Sequence, residues 1–361
     1  MSDLRHTRVV PFPITASATA AELMERMAGT SFQARQLADA GRIWGRMIGD
    51  PETTVFLGIA GALVPAGMRP ALTYLIEHRL VDCVVSTGAN LFHDLYETLG
   101  APHWQHPAET DDVALGRLRF NRFYDVLAPE TDFSNAEEFV VRFLRTLDAD
   151  RPYTTREFFA LLGQALLPAA KEEGMLTAAA RRGVPVYSPA LGDSMYGLAL
   201  ANARMRHGHT VQFDIIADVL ETTRLVTDAG KSAVIYLGGG TPKNFIQQAA
   251  AASYVFDREI EGHSYGIQIT MDQPQWGGLS GCTFEEAQSW RKIAPEADFV
   301  TVNVEATVAL PLIESALAET HAETIARRQP PSFSFGDSAD MAPAGNGAVG
   351  DGAVGDGRTT R

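Results

Sequence analysis

Two patterns of hydrophobic residues alternate along the chain. Short apolar runs, typical of buried strands, are separated by stretches whose apolar residues recur at helical spacing. We predict strands at 54–61, 81–90, 184–194, 211–216, 232–240, 265–270 and 298–304. We predict helices at 68–80, 92–99, 134–147, 154–170 and 194–206. Strand followed by helix, repeated, predicts an α/β fold: a Rossmann-like, mostly parallel sheet with helices on both faces, in a single large domain.

Glycine-bearing turns belong to or follow four of the predicted strands. They are Gly58–Gly61, Gly88, Gly192 and Gly238–Gly240. The carboxyl ends of parallel strands meet at one edge of a sheet, and ligands bind in the crevice there. We therefore expect the functional site at this edge.

Composition divides the chain into three parts. Residues 1–30 form an N-terminal segment, 31–329 form the α/β domain, and 330–361 form a tail rich in glycine, alanine and aspartate. Large apolar residues almost vanish from the tail, so burial cannot offset its ordering entropy. We predict that the tail is disordered, and we favour the interpretation that it has no role of its own.

Charge and cysteine content exclude several classes of function. The formal net charge is −14, which repels a phosphate backbone, so we expect no nucleic-acid partner; it suits a cationic small substrate. No window approaches the roughly 20 apolar residues of a membrane span, and we find no signal peptide. Cys83 and Cys282 are too far apart for a disulfide framework or a metal site. We expect a cytoplasmic protein without a metal or a membrane partner.

The segment SAVIYLGGGTPKNF leads from an apolar strand through three glycines into a helix. Glycines allow the backbone to approach a phosphate closely, and the first turn of a helix offers free N–H groups. Pro242 is typical of a first helical turn. Because the motif is not GxGxxG, a dinucleotide site and a plain tight turn both remain open.

Two other turns carry polar candidates. Asp193 follows a strand, where it is suited to accept ribose hydroxyls or hold an ammonium group; equally, it is suited to cap the helix that follows. In STGANLFHD, which also contains Thr87 and Gly88, His93 is either a ligand-facing or a structural residue. We favour the structural role for His93, because a lone histidine is not diagnostic.

The segment QWGGLSGCTFEEAQSWRKI is the richest in candidate chemistry. Glu286 and Trp290 are four residues apart, so a carboxylate and an indole share one helical face and form a cradle for an organic cation. The alternative for Glu286 is a capping box with Thr283. Two roles remain open for Lys292. Spacing alone favours a lysine whose charge interacts with the C-terminal end of the helix dipole; the alternative is a nucleophile whose pKa is lowered by burial.

At this segment the chain resembles the deoxyhypusine synthase family, over about residues 30 to 318. The resemblance rests on five blocks in order: TSFQARQLADA, FLGIAGALVPAGMRPALTYLIEHRLVDCVVSTGAN, GVPVYSPALGDS, YLGGGTPKNF and LSGCTFEEAQSWRKI. It implies an NAD-dependent transferase that moves an aminoalkyl group from a polyamine-like donor to a small amine or a protein lysine. It also implies a homotetramer with active sites at subunit interfaces.

The resemblance assigns roles to individual residues. Lys292 of the SWRKI stretch takes the position of the lysine that forms an imine with the transferred group; Trp290 takes that of a tryptophan lining the polyamine tunnel, and Glu286 that of a glutamate contacting the amine. Asn244 and His93 are the other substrate-facing candidates. The positions that hold NAD fall on Thr87, Gly88, Asp193, Gly238, Gly239, Gly240 and Glu305, the last where the family usually has aspartate.

Three positions depart from the family pattern. The strict enzymes have an aspartate at the position of Leu198, a histidine at that of Asn244 and an acidic residue at that of Leu279. Losing two carboxylates weakens a site for a polyamine. We therefore expect a donor or acceptor different from that of strict deoxyhypusine synthase. The alternatives are a non-catalytic scaffold that binds NAD or an amine, and an NAD-consuming hydrolase on a similar sheet.

Overall fold

A computed structural model describes residues 8–107 and 109–335. The strands are β1 (Thr53–Ile59), β2 (Cys83–Ser86), β3 (Trp104–Gln105), β4 (Phe120–Phe123), β5 (Val126–Pro129), β6 (Pro152–Tyr153), β7 (Val186–Tyr187), β8 (Gln212–Phe213), β9 (Lys231–Leu237), β10 (His263–Ile269) and β11 (Ile293–Val302). The α-helices are α1 (Ala20–Ala28), α2 (Phe32–Gly49), α3 (Arg69–Glu77), α4 (Gly88–Thr98), α5 (Asp112–Arg117), α6 (Glu130–Leu144), α7 (Thr155–Leu166), α8 (Met175–Arg182), α9 (Met195–His207), α10 (Ile215–Asp228), α11 (Gly240–Ala251), α12 (Phe284–Gln288), α13 (Ala306–Thr320) and α14 (Ala322–Arg327).

The main sheet has six strands in the order β11-β10-β9-β1-β2-β7, and every neighbouring pair is parallel. From β1 the chain adds β2 and β7 on one side, and later adds β9, β10 and β11 on the other. The strand order therefore reverses between β1 and β9, and a crevice opens at such a point in α/β sheets. The predicted fold class is confirmed.

Helices cover both faces of this sheet because successive side chains of a strand point in opposite directions. On β1, Val55 and Leu57 pack into the larger core cluster, which includes Trp44 of α2. Phe56 points the other way, into a smaller cluster with Tyr236 and residues of α10, α11 and α12. Strands buried on both faces have continuous apolar runs, and so the strands of this sheet stand out in the sequence.

Several predicted elements differ from the structure; within 184–194, only Val186–Tyr187 is a strand. The predicted strand at 211–216 is wrong beyond Gln212–Phe213, which pairs with β6 in a separate two-stranded sheet. Helix α10 begins directly afterwards because the Asp214 carboxylate accepts hydrogen bonds from the N–H groups of Ile216 (3.1 Å) and Ala217 (2.9 Å). The predicted strand at 81–90 ends at Ser86, and α4 begins at Gly88 rather than at Phe92.

The antiparallel sheet of β3, β5 and β4 was not predicted. Its strands have two to four residues each, and most residues of β3 and β4 are exposed. The sequence there shows neither an apolar run nor a clear alternation of apolar and polar residues. Such short, half-exposed strands lack the hydrophobic pattern on which a strand prediction depends.

The two ends of the described chain both pack on the domain. Helix α1, within the predicted N-terminal segment, lies against α2 and α13, and its Met24 is buried. At the other end, Phe333 and Phe335 pack against the smaller core cluster, and Pro331 O accepts a hydrogen bond from Arg79 Nη2 at 3.1 Å. The predicted tail begins at 330, and its residues 336–361 lie outside the described residues.

Within residues 8–107 and 109–335, histidine, cysteine, aspartate and glutamate form no group of three or more suited to a metal ion. A search of the same residues for helices long and apolar enough to cross a bilayer finds none.

Candidate active site

Lys292 lies where the chain passes from α12 to β11. The turn that joins them places Arg291 in the left-handed region (φ 55°), and Lys292 N donates to Ala287 O at 3.1 Å. The Lys292 side chain lines a pocket of about 380 Å³ between α11, α12 and the loop that precedes α12. The pocket is lined by Lys243, Asn244, Gln247, Gln248, Pro274, Gly277, Gly278, Leu279, Cys282, Glu286, Ala287, Trp290 and Lys292.

The Lys292 amine is partly withdrawn from water. Its Nζ lies 3.5 Å from Asn244 Oδ1 and 5.3 Å from the centre of the Trp290 ring. Burial lowers the pKa of Lys292 because it disfavours the charged form, while Cys282 and Glu286 act in the opposite direction. An amine with a lowered pKa beside a neutral amide is better suited to nucleophilic attack than a free lysine.

Glu286 and Trp290 form the outer wall of this pocket. Both side chains are exposed, with Trp290 66% exposed. The Thr283 hydroxyl accepts from Glu286 N at 3.1 Å and so caps α12, but the described residues show no return bond from Thr283 N to the Glu286 carboxylate, so the capping box is only half formed. Within the described part of the chain, the Glu286 carboxylate forms no ion pair, and it is therefore available to a cation that enters beside the Trp290 ring.

Lys243 is a pocket residue that the sequence analysis did not single out. It lies on the first turn of α11 and is 2% exposed. Its Nζ donates to Gln268 Oε1 at 2.9 Å and to Cys282 O at 2.5 Å. Burial lowers the pKa of Lys243 to about 8. The sequence feature that could have identified Lys243 is its position three residues after the glycine turn, in the first turn of the helix that follows a buried strand.

A second pocket, of about 290 Å³, lies at the carboxyl ends of β1, β2 and β7. It brings together three of the predicted cofactor residues, Thr87, Gly88 and Asp193. The other lining residues are Gly61, Ser86, Ala89, Pro189, Ala190, Thr241 and Pro242. Ser194, not Asp193, is the N-cap of α9, because its hydroxyl accepts from Tyr196 N at 3.3 Å. The Asp193 carboxylate is therefore not needed for capping.

The glycines of the turn after β9 do not line this pocket. A Cβ on Gly239 would lie 2.4 Å from Ser280 Cα, and Gly240 N donates to Ser280 Oγ at 3.0 Å. Gly238 adopts a positive φ of 76°, which favours glycine. The turn thus packs tightly against the loop before α12, and the next residues, Thr241 and Pro242, face the pocket instead.

The two remaining candidates lie elsewhere. His93 is buried, with Nδ1 2.9 Å from His103 Nε2, and burial lowers its pKa to about 3. Glu305 caps α13 by accepting from Thr307 N at 2.9 Å, and it lines a third cavity of about 790 Å³ that also contains Arg69. Neither residue lines the pocket of Lys292 or that of Thr87.

Of the positions that depart from the family pattern, two lie in the Lys292 pocket. Leu279 lines it and is 48% exposed, and Asn244 contacts the amine directly. Leu198 is exposed on α9 and lines neither pocket. The Lys292 pocket therefore offers one carboxylate, one exposed indole and several neutral amides to a ligand.

Comparison with known proteins identifies the family. The family model of deoxyhypusine synthase matches residues 22–317. The chain is 44% identical over 315 residues to "Probable deoxyhypusine synthase 2" of Methanosarcina mazei, covering 87% of this chain and 90% of that protein. It is 34% identical over 295 residues to a "Deoxyhypusine synthase-like protein" of Chlorobaculum parvum, covering 81% and 84% respectively.

A solved structure shares the fold. The crystal structure of a putative deoxyhypusine synthase from Entamoeba histolytica aligns with a TM-score of 0.59 at 18% identity, over 85% of this chain and 94% of that one. The family model and the sequence relatives both match most of the chain. The chain therefore belongs to the deoxyhypusine synthase family of transferases.

Proposed function

We propose that this protein transfers an aminoalkyl group from an amine donor to an acceptor amine, through an imine on Lys292 and with NAD as cofactor. The observation that carries the proposal is the half-buried Lys292 amine, with its lowered pKa, opposite the neutral Asn244 amide. Imine formation requires a neutral amine, and burial supplies one at a lower pH than in free lysine.

The pocket at the carboxyl ends of β1, β2 and β7 carries groups suited to part of a dinucleotide. Its donor set combines the Asp193 carboxylate, suited to ribose hydroxyls, with the hydroxyl of Thr87 and the first turn of α11, suited to phosphate. The buried Ser188 hydroxyl, without a partner among the described residues, lies next to Gly88. When bound, NAD supplies an oxidant for the amine-bearing carbon of the donor and, once reduced, a reductant for the product.

In the proposed transfer step, Lys292 acts on a donor whose amine-bearing carbon has become a C=N⁺ carbon. The neutral Lys292 amine adds to that carbon and passes a proton to the donor nitrogen already bonded there; the bond between the carbon and this nitrogen then breaks, and the nitrogen leaves as a primary amine. A C=N bond to Lys292 remains. The acceptor amine then adds to the same carbon and displaces Lys292, and reduction of the new C=N bond gives a secondary amine.

Glu286 and Trp290 are proposed to hold the cationic end of the substrate. The carboxylate attracts an ammonium group, and the indole face stabilises it further. Since Leu279 stands where the strict enzymes have an acidic residue, the pocket offers less attraction to a triamine than a site with a second carboxylate would. We propose accordingly that the donor, the acceptor, or both differ from those of strict deoxyhypusine synthase, the acceptor being a small amine or a protein lysine.

A homo-oligomer is part of the proposal. The Lys292 pocket and the Thr87 pocket share no lining residue, and consecutive residues of α11, Pro242 and Lys243, belong to different pockets. One carbon of the donor must nevertheless meet both the cofactor and Lys292. A second copy of the chain, as in the tetramer that the resemblance implies, would bring one pocket of each kind together.

Borohydride trapping tests the proposed function. Purified protein with NAD is incubated with single candidate amines, reduced, digested and mapped by mass spectrometry. We expect an added aminoalkyl mass on Lys292, absent from Lys292→Ala and absent when NAD is omitted. Half-exposed Lys231 serves as an internal control for nonspecific modification. No adduct on Lys292 with any amine, in protein shown to bind NAD, would contradict the proposal.

A non-catalytic scaffold is the second candidate, and the neutral residues at Leu198 and Leu279 favour it. A scaffold needs the pockets but not the Lys292 nucleophile. If Lys292→Ala retains full amine and NAD binding and full cellular function, the scaffold is correct and the transferase proposal fails.

A further inference from the structure

We propose that His93, His103 and Glu97 form a proton relay. His93 Nε2 accepts a proton one helical turn from the Thr87 pocket, and the proton is passed along the relay to the third cavity, the one lined by Glu305. This inference rests on the proposed function, because the relay supplies a proton acceptor that the oxidation of the donor requires.

The proposed oxidation releases a proton. Hydride leaves the carbon of an amine only when the nitrogen has a lone pair with which to form the C=N bond, so a secondary ammonium ion and NAD together give an iminium ion, NADH and one proton. Lys292 must stay neutral for its own attack, and Glu286 must stay charged to hold the substrate. The Asn244 amide beside Lys292 neither gains nor loses a proton near neutral pH. The released proton therefore needs another acceptor.

Three side chains form a hydrogen-bonded chain along α4 and the segment that follows it. Glu97 Oε1 lies 2.6 Å from His103 Nδ1, and His103 Nε2 lies 2.9 Å from His93 Nδ1. The other carboxylate oxygen, Glu97 Oε2, lies 2.6 Å from Arg69 Nε. Arg69 thereby fixes the orientation of the carboxylate at the start of the chain.

The donors and acceptors of this chain run in one direction. An ionised carboxylate only accepts, so His103 Nδ1 carries the hydrogen of its bond to Glu97. In a neutral His103 the other nitrogen, Nε2, is then an acceptor, and His93 Nδ1 must be the donor to it. A neutral His93 consequently has its lone pair on Nε2, which has no hydrogen-bond partner among the described residues. The chain thus ends in a proton acceptor of fixed tautomer.

The two ends of the relay lie near different cavities. Glu97 and His103 line the third cavity. His93 lies four residues after Ala89 on α4, and Ala89 lines the Thr87 pocket. Residues four apart share one face of a helix, and helical side chains tilt toward the N-terminus, so His93 is directed toward the turn of Ala89. The relay therefore connects the proposed cofactor side of α4 with the third cavity.

Burial prevents His93 from storing the proton itself. His93 is 6% exposed, and its ring centre lies 4.6 Å from that of Phe123 and 5.4 Å from that of Phe133, both at nearly right angles. Strand β4 and helix α6 thus present apolar rings to it. Burial and, to a lesser extent, the charge of His103 lower the pKa of His93 to about 3. His93 therefore passes a proton on by exchanging tautomers.

The charged groups around the relay lie at its His103 end. Arg69 of α3 pairs with Glu97 and with Glu172, which precedes α8. When a proton arrives at His93 Nε2, the hydrogen on Nδ1 moves to His103 Nε2. The positive charge then lies on His103, next to the Glu97 carboxylate, and not on the buried His93 ring. From His103 the proton exchanges with the third cavity.

Glu97→Gln reverses the direction of the relay without removing a hydrogen bond. Arg69 has donors only, so the new amide turns its oxygen to Arg69 and its NH2 group to His103. His103 then accepts at Nδ1 and donates from Nε2. His93 in turn accepts at Nδ1, and its own hydrogen moves to Nε2. The variant keeps the contacts of the chain but removes the free proton acceptor.

The tautomer of His93 tests the relay without any turnover. Solid-state ¹⁵N spectra of protein labelled in its histidine rings distinguish protonated from unprotonated ring nitrogens, and the His93 signals are those lost in His93→Gln. At about pH 8.5, well above the ordinary histidine pKa of about 6.5, we expect Nε2 to be unprotonated in wild type and protonated in Glu97→Gln. The same His93 tautomer in both proteins, or a charged His93 ring in wild type, would overturn the inference.

His103→Phe takes the place of Glu97→Gln if thermal unfolding shows that the latter does not fold. The substitution keeps an aromatic ring beside Tyr96, whose ring centre lies 4.9 Å from that of His103. Without an acceptor for Nδ1, His93 should show both neutral tautomers. A single His93 tautomer equal to that of wild type would show that His103 does not set the direction, and the inference would fail.

NADH formation in the first turnover links the relay to the proposed reaction. It is followed by absorbance, with the amine that labels Lys292 best in borohydride trapping. Removal of a proton acceptor costs about 100-fold, so we expect a loss of that size in Glu97→Gln and His103→Phe, and none in the exposed control His78→Gln. An unchanged rate in Glu97→Gln with a reversed His93 tautomer would overturn the inference. If no amine yields NADH in wild type, the proposed function fails, and the ¹⁵N spectra still decide the direction of the relay.

Discussion

Lys292 Nζ lies 3.5 Å from Asn244 Oδ1, and this amide is the polar partner that the described residues offer to the amine. An amide oxygen accepts a hydrogen bond from an ammonium group and from a neutral amine alike, and it carries no charge that would retain the proton. The neutral side chain at position 244 therefore acts together with burial, which lowers the pKa of Lys292.

Replacing Asn244 by aspartate should reverse this effect. A carboxylate at hydrogen-bond distance stabilises the ammonium form and raises the pKa of Lys292. We expect Asn244→Asp to slow borohydride-trappable adduct formation at Lys292 at pH 8 by about tenfold, with recovery at higher pH, since each pKa unit is a tenfold change in the neutral fraction. Asn244→Leu serves as the uncharged control, and an equal loss in both variants at every pH would contradict the argument.

An acidic residue in place of Leu279 should strengthen polyamine binding. Leu279 lines the Lys292 pocket together with Glu286 and is 48% exposed, so a carboxylate there adds attraction without being buried. Half-exposed charge pairs contribute about 0.2–1 kcal/mol, so we expect Leu279→Asp to bind spermidine a few-fold more tightly by calorimetry at low salt. The gain should disappear at high salt and in the neutral control Leu279→Asn.

Gly88 and Ser194 should be coupled energetically. A Cβ on Gly88 would lie 2.5 Å from Ser194 Oγ and 2.7 Å from Ser194 Cβ. We expect Gly88→Ala to lower the free energy of unfolding by about 1–3 kcal/mol through overpacking. Adding Ser194→Gly removes both atoms at the loss of a cap worth a few tenths of a kcal/mol relative to glycine, and should restore most of the loss.

Gly116→Ala is the matched control for this cycle. A Cβ on Gly116, within α5, meets nothing within 4 Å, so we expect stability equal to wild type or slightly greater. Denaturant unfolding of wild type, Gly88→Ala, Ser194→Gly and the double variant measures the coupling. If Ser194→Gly fails to restore any stability to Gly88→Ala, the close approach of these two residues is not the cause of the loss.

Arg328 should be necessary for stability although it lies far along the chain from the strands it supports. Its guanidinium bonds both oxygens of the fully buried Asp82 carboxylate, at 2.9 and 2.7 Å, and Arg79 contributes a third bond at 3.1 Å. Without Arg328 the buried Asp82 carboxylate keeps Arg79 as its remaining cation and is only partly compensated, so we expect Arg328→Met to lose up to about 3–5 kcal/mol in denaturant unfolding.

Arg327→Met is the matched control for Arg328→Met. Arg327 is exposed and pairs only across one helical turn with Glu323 at 3.5 Å, so we expect a change of about 0.5 kcal/mol or less. Equal losses in the two variants would show that the contribution comes from α14 as a whole rather than from the Asp82 pair.

Glu314 should make stability fall as the pH rises. Burial within α13 raises the pKa of its carboxyl to about 8 from 4.5. In the unfolded chain the group ionises above about pH 4.5, so its proton is held more tightly by the folded state between pH 4.5 and 8, and stability decreases across that window. We expect Glu314→Gln to unfold at a higher temperature than wild type at pH 8, with the difference vanishing near pH 4. In the exposed control Glu323→Gln, any difference from wild type should not depend on pH in this way.

Much of the fold followed from local pattern. The strands at 54–61, 232–240 and 265–270 are buried along nearly their whole length and so appear as apolar runs, whereas 298–304, on the edge strand β11, is only half-buried. The two-residue strands β6 and β8 and the hairpin strands β3 to β5 contain too few buried positions to generate such a run. Their pairing depends on neighbours that are distant in sequence.

The candidate site, like the fold, could be predicted from the sequence only in part. The sequence determined that Lys292, Trp290 and Glu286 share one segment, and that Thr87, Gly88 and Asp193 follow strand ends, because these are relations of spacing and of strand order. Only the tertiary structure decided that Lys243 lines the Lys292 pocket, that Ser280 closes on the glycine turn and that His93 turns away to His103. Burial, and with it the pKa of an amine, is set by side chains that folding brings from remote parts of the chain, and spacing along the sequence does not contain them.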